Sequence, residues 1–209
     1  MRPASTTLRM AVLVAVSLAL SGCITLLPKA KPVDLYRFGQ AASAGVETVQ
    51  TGTVGVVRAT GGFQREAAGD RLVTISSGKV ALIAEARWVT PAVTLWDEAV
   101  LAAFDADNGR VRLIARGEPG RAAYVLRLDV RNFEALYEKG PKAPPTVLVR
   151  VRAALTSNAD RGLVGERIFE ARITPSDNKL SEIVPAYDRA VAEVLKQLIG
   201  WTNELAVPV

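Results

Sequence analysis

The sequence predicts an α+β two-layer sandwich: a mostly antiparallel sheet with two helices packed on one face. Three observations lead there. Residues 146–156 and 163–174 alternate apolar and charged positions with a period of two, the pattern of strands that bury one face. Two other segments, 91–106 and 180–205, repeat their apolar residues at helical spacing. Strands with one apolar face need amphipathic helices to cover it, and 209 residues, against about 150 per typical domain, allow one such domain with short appendages.

The chain divides into an export signal (1–22), a tether (23–32) and a single periplasmic domain (33–209). The signal carries Arg2 and Arg9 and no acid, then an apolar run from Met10 to Leu20 that is too short for the roughly 20 residues a membrane-spanning helix needs. It ends in Leu20-Ser21-Gly22-Cys23, which resembles the bacterial lipobox. That resemblance implies cleavage before Cys23 and its modification by diacylglyceryl and N-acyl lipid, and Cys23 is the only cysteine of the chain. One acyl chain anchors marginally and two or three hold a protein effectively permanently. Ile24, where the sorting rule for inner-membrane retention would have aspartate, favours the outer membrane. Residues 24–32 (ITLLPKAKP) read as an irregular spacer reaching roughly 30 Å at about 3.3 Å per residue.

The elements of the domain follow in order. Val33 to Phe38 reads as a short first strand, Gly39 to Gln50 as a loop, and Thr51 to Ala59 as a β-branched, Gly-punctuated strand. Arg71 to Ser76 and Lys79 to Trp88 flank Ser77-Gly78, a two-residue hairpin turn. Thr90-Pro91 reads as an N-cap and first-turn proline, after which Trp96, Ala99, Val100, Ala103 and Phe104 share a helix face that ends before Asp107-Asn108-Gly109. Arg110 to Ala115, Ala123 to Tyr137, Thr146 to Thr156 and Leu163 to Thr174 are the remaining strands. If Ser157 to Gly162 closes a hairpin, Arg150 and Arg152 come beside Glu166 and Glu170 and help fix the register. The C-terminal helix keeps its spacing from Leu180 through Ile183, Val184, Tyr187, Val191, Val194, Leu195 and Leu198 to Leu205. Pro185 inside it predicts a helical turn, a kink, and a main helix from about Val184.

Composition excludes several chemistries. With no histidine and one cysteine, a Ser-His-Asp triad, a Cys-His pair, a His/Cys zinc site and an intrachain disulfide are all out of reach. No GxxxxGK[ST] phosphate loop occurs. Removing residues 1–22 deletes two arginines and no acid, so 26 basic residues become 24 against 21 acids, a net charge of +3 rather than +5. Without a basic stripe carrying interleaved aromatics, nucleic acid is not an expected partner.

Taken together, the lipobox Cys23, Tyr36, the run Arg87-Trp88-Val89-Thr90-Pro91, the run Val130-Arg131-Asn132-Phe133-Glu134-Ala135, Phe169-Glu170-Ala171 and the alanine-rich C-terminal helix with Trp201 resemble the ABC-type transport auxiliary lipoproteins. The resemblance implies a docking or receiving subunit at the outer membrane, working with a mammalian-cell-entry (MCE) protein, a permease and an ATPase in lipid transport. It implies no catalysis and no cofactor beyond the lipid on Cys23, and leaves a homo-oligomer open. A structural or assembly lipoprotein serving an outer-membrane barrel is the alternative. Candidate contact residues are Trp201, at the helix end, and Arg150 and Arg152, whose face reads first as a solvated charge lattice and second as a dock for an acidic partner. Trp88 reads as packing. Glu134 and Glu170 are the one conceivable pair of catalytic carboxylates, and nothing in the sequence fixes their separation.

Overall fold

A computed structural model describes residues 32–40, 53–114, 117–118 and 120–208. Cys23, the tether up to residue 31 and most of the expected loop at 39–50 lie outside the described residues. The strands are β1 (Asp34–Tyr36), β2 (Val54–Ala59), β3 (Arg71–Ser76), β4 (Lys79–Trp88), β5 (Val111–Ile114), β6 (Tyr124–Leu136), β7 (Thr146–Ser157) and β8 (Leu163–Ile173), and the helices are α1 (Ala92–Ala106) and α2 (Leu180–Leu205). All eight strands join one sheet that does not close into a barrel, with the order β1-β4-β3-β6-β2-β5 and with β7 between β6 and β8. The expected α+β sandwich is therefore present: α2 lies on β7 and β8 and meets α1, which covers β5.

Strand β6 is the spine. One of its edges pairs antiparallel with β7 along its whole length, and β7 pairs antiparallel with β8. The other edge is shared. Tyr124–Arg127 pair with β2 and Ala135–Leu136 with β3, both in parallel. Between them the chain stays alongside β6, with Val130 N–H donating to the Gly62 carbonyl (2.8 Å) and Gln64 N–H to the Val130 carbonyl (2.9 Å). A Cβ on Gly61 would sit 1.6 Å from the Leu128 carbonyl oxygen, so this approach requires glycine. The ladders β1–β4 and β2–β5 are also parallel and short. Antiparallel pairing carries the long ladders, and the parallel ones were not legible in the alternation.

Two helix termini differ from expectation. Thr90 does not cap α1; Pro91 occupies the cap position in extended conformation, with no side-chain cap bond. The orphan donors go to backbone instead: Ala92 N–H to the Gly69 carbonyl (2.9 Å) and Val93 N–H to the Ala68 carbonyl (3.3 Å), just after the 3-10 turn Arg65–Ala67. A tertiary cap has replaced the local one. Pro185 does not divide α2 either, which runs unbroken from Leu180. At this point near the N-terminus proline removes a single bond, to the carbonyl of Ser181, an exposed residue where water can replace it. Elsewhere β3 and β4 keep the expected bounds, β7 gains Ser157, and β1, β5, β6 and β8 are shorter than expected by one to a few residues at their ends. The Ser77-Gly78 turn has both central φ angles positive (48° and 76°), as a type I′ hairpin requires.

The core lies between sheet and helices. Val147, Val149, Val151, Ala153 and Leu155 of β7 are each fully buried, against Val191, Val194, Leu195 and Leu198 of α2 in the same cluster. Trp88 belongs to it: its ring meets Phe38 at 5.0 Å and Tyr187 at 5.3 Å between centroids, and Phe133 lies 5.0 Å from Tyr187. The Tyr187 hydroxyl donates to the Val73 carbonyl at 3.3 Å. Burial drives its acidity well out of the physiological range, so it serves as a packed donor. The C-terminal end of α2 is stitched down by Asn203, which accepts from Val111 N–H (3.0 Å) and donates to Asp107 (2.8 Å).

Candidate functional site

The sheet face turned away from the helices carries the residues that the alternation of β7 and β8 singled out. Arg150 stands directly opposite Glu170 and donates to it at 2.5 Å; Arg152, one pleat along, donates to Glu166 at 2.9 and 2.5 Å. The expected pairing is present. The Arg152 hydrogen bonds hold the Glu166 carboxyl below its usual range and the guanidinium above its own. Arg172 continues the row to Glu138 (2.7 Å). The arginines at 150, 152 and 172 thus each face a carboxylate, and along this row the charges are paired.

Two acids of β6 sit beside that row and are nearly buried. Asp129 accepts from Gly62 N–H at 2.7 Å and from Arg127 at 3.3 Å. Burial alone would raise its pKa, and the Gly62 N–H and Arg127 outweigh it, leaving the carboxyl lowered. Glu134, 6% exposed, accepts from Gln64 Nε2 at 2.6 Å and Asn132 Nδ2 at 2.9 Å. The same Gln64 takes the Phe133 N–H at 2.7 Å, and Asn132 accepts from Arg150 at 3.4 Å. Glu134 and Glu170 are therefore both held within one hydrogen-bond network that ties the 60–64 segment to the sheet.

Trp201 is 8% exposed, more buried than its place at the helix end suggested. Its indole packs edge-on against Phe169 at 5.6 Å, and Gly165 of β8 lies under this helix end: a Cβ there would sit 2.6 Å from Leu205 Cδ1 and 3.3 Å from the indole. Arg167 stacks over the other partner, 5.4 Å from the Phe169 centroid. A shallow depression runs along this seam, with Lys196 and Glu204 at its rim. Trp201 contributes only a small exposed edge to its wall.

The feature that sequence reasoning missed lies between α1 and the sheet. Arg58, Thr60, Gly61 and Phe63 on one strand path, Val93, Trp96, Asp97 and Leu101 on α1, and Leu113, Ile114 and Leu128 on β5 and β6 enclose a cleft of about 550 Å³. Arg58 and Asp97 form an ion pair beside it. Trp96 is 1% exposed, and its indole N–H has no hydrogen-bond partner among the described residues. Leaving a buried donor unpaired costs about 1–3 kcal/mol. The apolar stripe of α1 was legible as core; that it stops short of filling the space beside β5 depends on where the parallel strands lie.

No helix among the described residues is long and apolar enough to cross a membrane, and none of their His, Cys, Asp and Glu residues form a cluster of three or more able to hold a metal. The family model for the ABC-type transport auxiliary lipoprotein component matches residues 66–199, from the 3-10 turn to near the end of α2. Among solved structures, protein XCC0632 from Xanthomonas campestris is similar at 21% identity and a TM-score of 0.64, over 85% of this chain and 90% of that one. A second crystal structure, of an uncharacterized protein, matches at 13% identity and a TM-score of 0.61, over 82% of this chain and 99% of the other. At these identities the likeness speaks for the fold. The comparison with curated proteins gives no match.

Proposed function

This chain belongs to the ABC-type transport auxiliary lipoprotein component family, and from that premise we propose that it is the docking or receiving subunit of an MCE-type lipid transport system, anchored in the outer membrane through Cys23. The observation that carries the reading is the order of parts: a lipobox ending at Cys23, nine spacer residues, then the domain that the family model matches. A lipid anchor fixes the protein at a membrane surface, and an auxiliary component of an ABC system draws its energy from the partner ATPase. The paired charges on the open sheet face and the hydrogen-bonded Glu134 and Glu170 support action by contact rather than by chemistry on a substrate.

The test combines anchor and genetics. Cys23→Ser cannot form the thioether, so the precursor should stay uncleaved, lose label from a fatty-acid analogue and fractionate away from the outer membrane. Loss of the gene should then raise detergent sensitivity to the level seen on loss of the transporter, and the double deletion should be no worse than the transporter deletion alone. Additive defects would move the protein to another pathway and favour the barrel-assembly role. Unchanged labelling in Cys23→Ser would remove the anchor.

A further inference from the structure

The described residues expose ten large apolar side chains, and five of them belong to one edge of the sheet: Val33 and Leu35 at β1, Val80 and Leu82 on β4, and Val89 just after it. Exposed apolar side chains gathered in one place mark an interaction surface. Leu35, Val80 and Leu82 are 63%, 56% and 49% exposed. Val80 and Leu82, two residues apart, point to one side of the β3–β4 hairpin, opposite Ile75 and Val73. Val73 belongs to the core and Ile75 packs against it, so the hairpin carries an apolar face outward from the core toward its turn. β1 joins the same edge, pairing with Ala86–Trp88 of β4 and accepting at its Tyr36 carbonyl from Val89 N–H (2.8 Å).

What this edge meets follows from where the chain enters the domain. β1 is the first strand, and only residues 24–32 separate Val33 from Cys23, a reach of roughly 30 Å at about 3.3 Å per residue. A few apolar side chains bind a membrane weakly alone, but a covalent tether of this length makes their contact effectively intramolecular. The two strands carry Asp34 and Glu85 against Lys79 and Arg87, so their charges cancel and the contact rests on apolar burial. Among the described residues no strand pairs along the outer side of 79–84. Backbone groups there need water or headgroups, which keeps the edge at interfacial depth.

We propose that the β1–β4 edge and the tip of the β3–β4 hairpin rest edge-on in the interfacial layer of the membrane that holds the anchor, with Leu35, Val80 and Leu82 as the inserted side chains. The contact rests on the Cys23 anchor of the reading above and adds an orientation to it. A domain held at one point rotates, whereas a domain held at two presents a fixed face to its partner.

Cys23 is the only cysteine, and the lipid consumes its sulfur, so one introduced cysteine can be labelled selectively in the full-length lipoprotein. Leu35→Cys, Leu82→Cys and a control, Ile168→Cys, comparably exposed on the far edge strand β8, each receive the polarity-sensitive dye NBD. The proteins are reconstituted into vesicles of phosphatidylethanolamine with a minority of phosphatidylglycerol. Emission from positions 35 and 82 should shift to the blue and be quenched by lipids bearing a nitroxide near the headgroup. Position 168 should read as water, and added salt should change neither. Replacing Val80 and Leu82 together by serine, at exposed positions that leave the melting curve near wild type, should return the label at 35 to its aqueous spectrum while the protein still floats with the vesicles. Labels at 35 and 82 that match 168 in floating protein would overturn the contact and leave the docking reading standing. Equal quenching at all three sites, or a label at 35 indifferent to the serine pair, would overturn it too. A wild-type protein that does not float removes the anchor, and this contact with it.

Discussion

The two halves of the sheet are built by different rules. From β6 onward the chain forms long antiparallel ladders joined by a short hairpin and covered by a 26-residue helix, with each side chain's position following from its neighbours in sequence. Before β6, apart from the antiparallel β3–β4 hairpin, short parallel ladders are assembled from strands far apart in the chain, and α1 is capped by carbonyls about 23 residues away from its first turn. The difference teaches where function has room: the regular half closes its core, and the composite half leaves the cleft beside α1.

The largest effect should come from the regular half. Leu195 and Leu198 are 1% and 0% exposed under β7 and β8. Replacing either by alanine should cost about 2–5 kcal/mol, read as a lowered melting temperature or denaturation midpoint. An unmoved melting curve would mean that α2 does not hold the sheet, and the contrast between the halves would collapse.

A smaller effect tests the composite half. Gly61→Ala places a methyl against the Leu128 carbonyl, where only a backbone shift can relieve it, and should destabilise by about 1–3 kcal/mol, the range for overpacking. Gly69→Ala is the control, since an added Cβ there meets nothing within 4 Å; its curve should stay near wild type. If both substitutions behave alike, the close parallel path of residues 60–64 along β6 is not a structural requirement.

These two sites also mark what could be read from sequence. The alternation of β7 and β8 yields both the buried face and the Arg150–Glu170 and Arg152–Glu166 pairs, because a hairpin converts sequence spacing directly into register. The spacing of α2 gives its buried stripe in the same way. The parallel partners of β2, the cap of α1 and the continuity of α2 through Pro185 depend on chain brought in from elsewhere or on position within the helix, and no local pattern encodes them. For the same reason Trp96 was legible as a core residue but not as the wall of a cleft. Its place at the helix end predicts partial exposure for Trp201, and Phe169 and Gly165 on β8, against which it packs, lie far from it in sequence.

The smallest effect concerns the lattice on the open face and depends on pH. Glu166 is held below its usual pKa by the Arg152 hydrogen bonds, with the arginine's charge adding to them. Asp129 is lowered because the Gly62 N–H and Arg127 outweigh the opposing effect of burial. A carboxyl with a lower pKa in the folded than in the unfolded chain stabilises the fold fully above the unfolded value, about 4 for these residues, and loses that contribution as pH falls through the lower folded value. Arg152 stays charged throughout. The melting temperature should therefore fall on acidification below about pH 4. Glu166→Gln should remove part of that dependence: the variant should be slightly less stable than wild type at pH 7 and converge with it in acid, once the pH has fallen below the lowered folded-state value and Glu166 is protonated in both states. Because the pair is solvent-exposed, added salt should shrink the difference at pH 7 as well. A deficit in Glu166→Gln that is the same at pH 7, in acid and in high salt would show that the side chain acts through packing, and the open face would then be held by contacts of the same kind as the covered one.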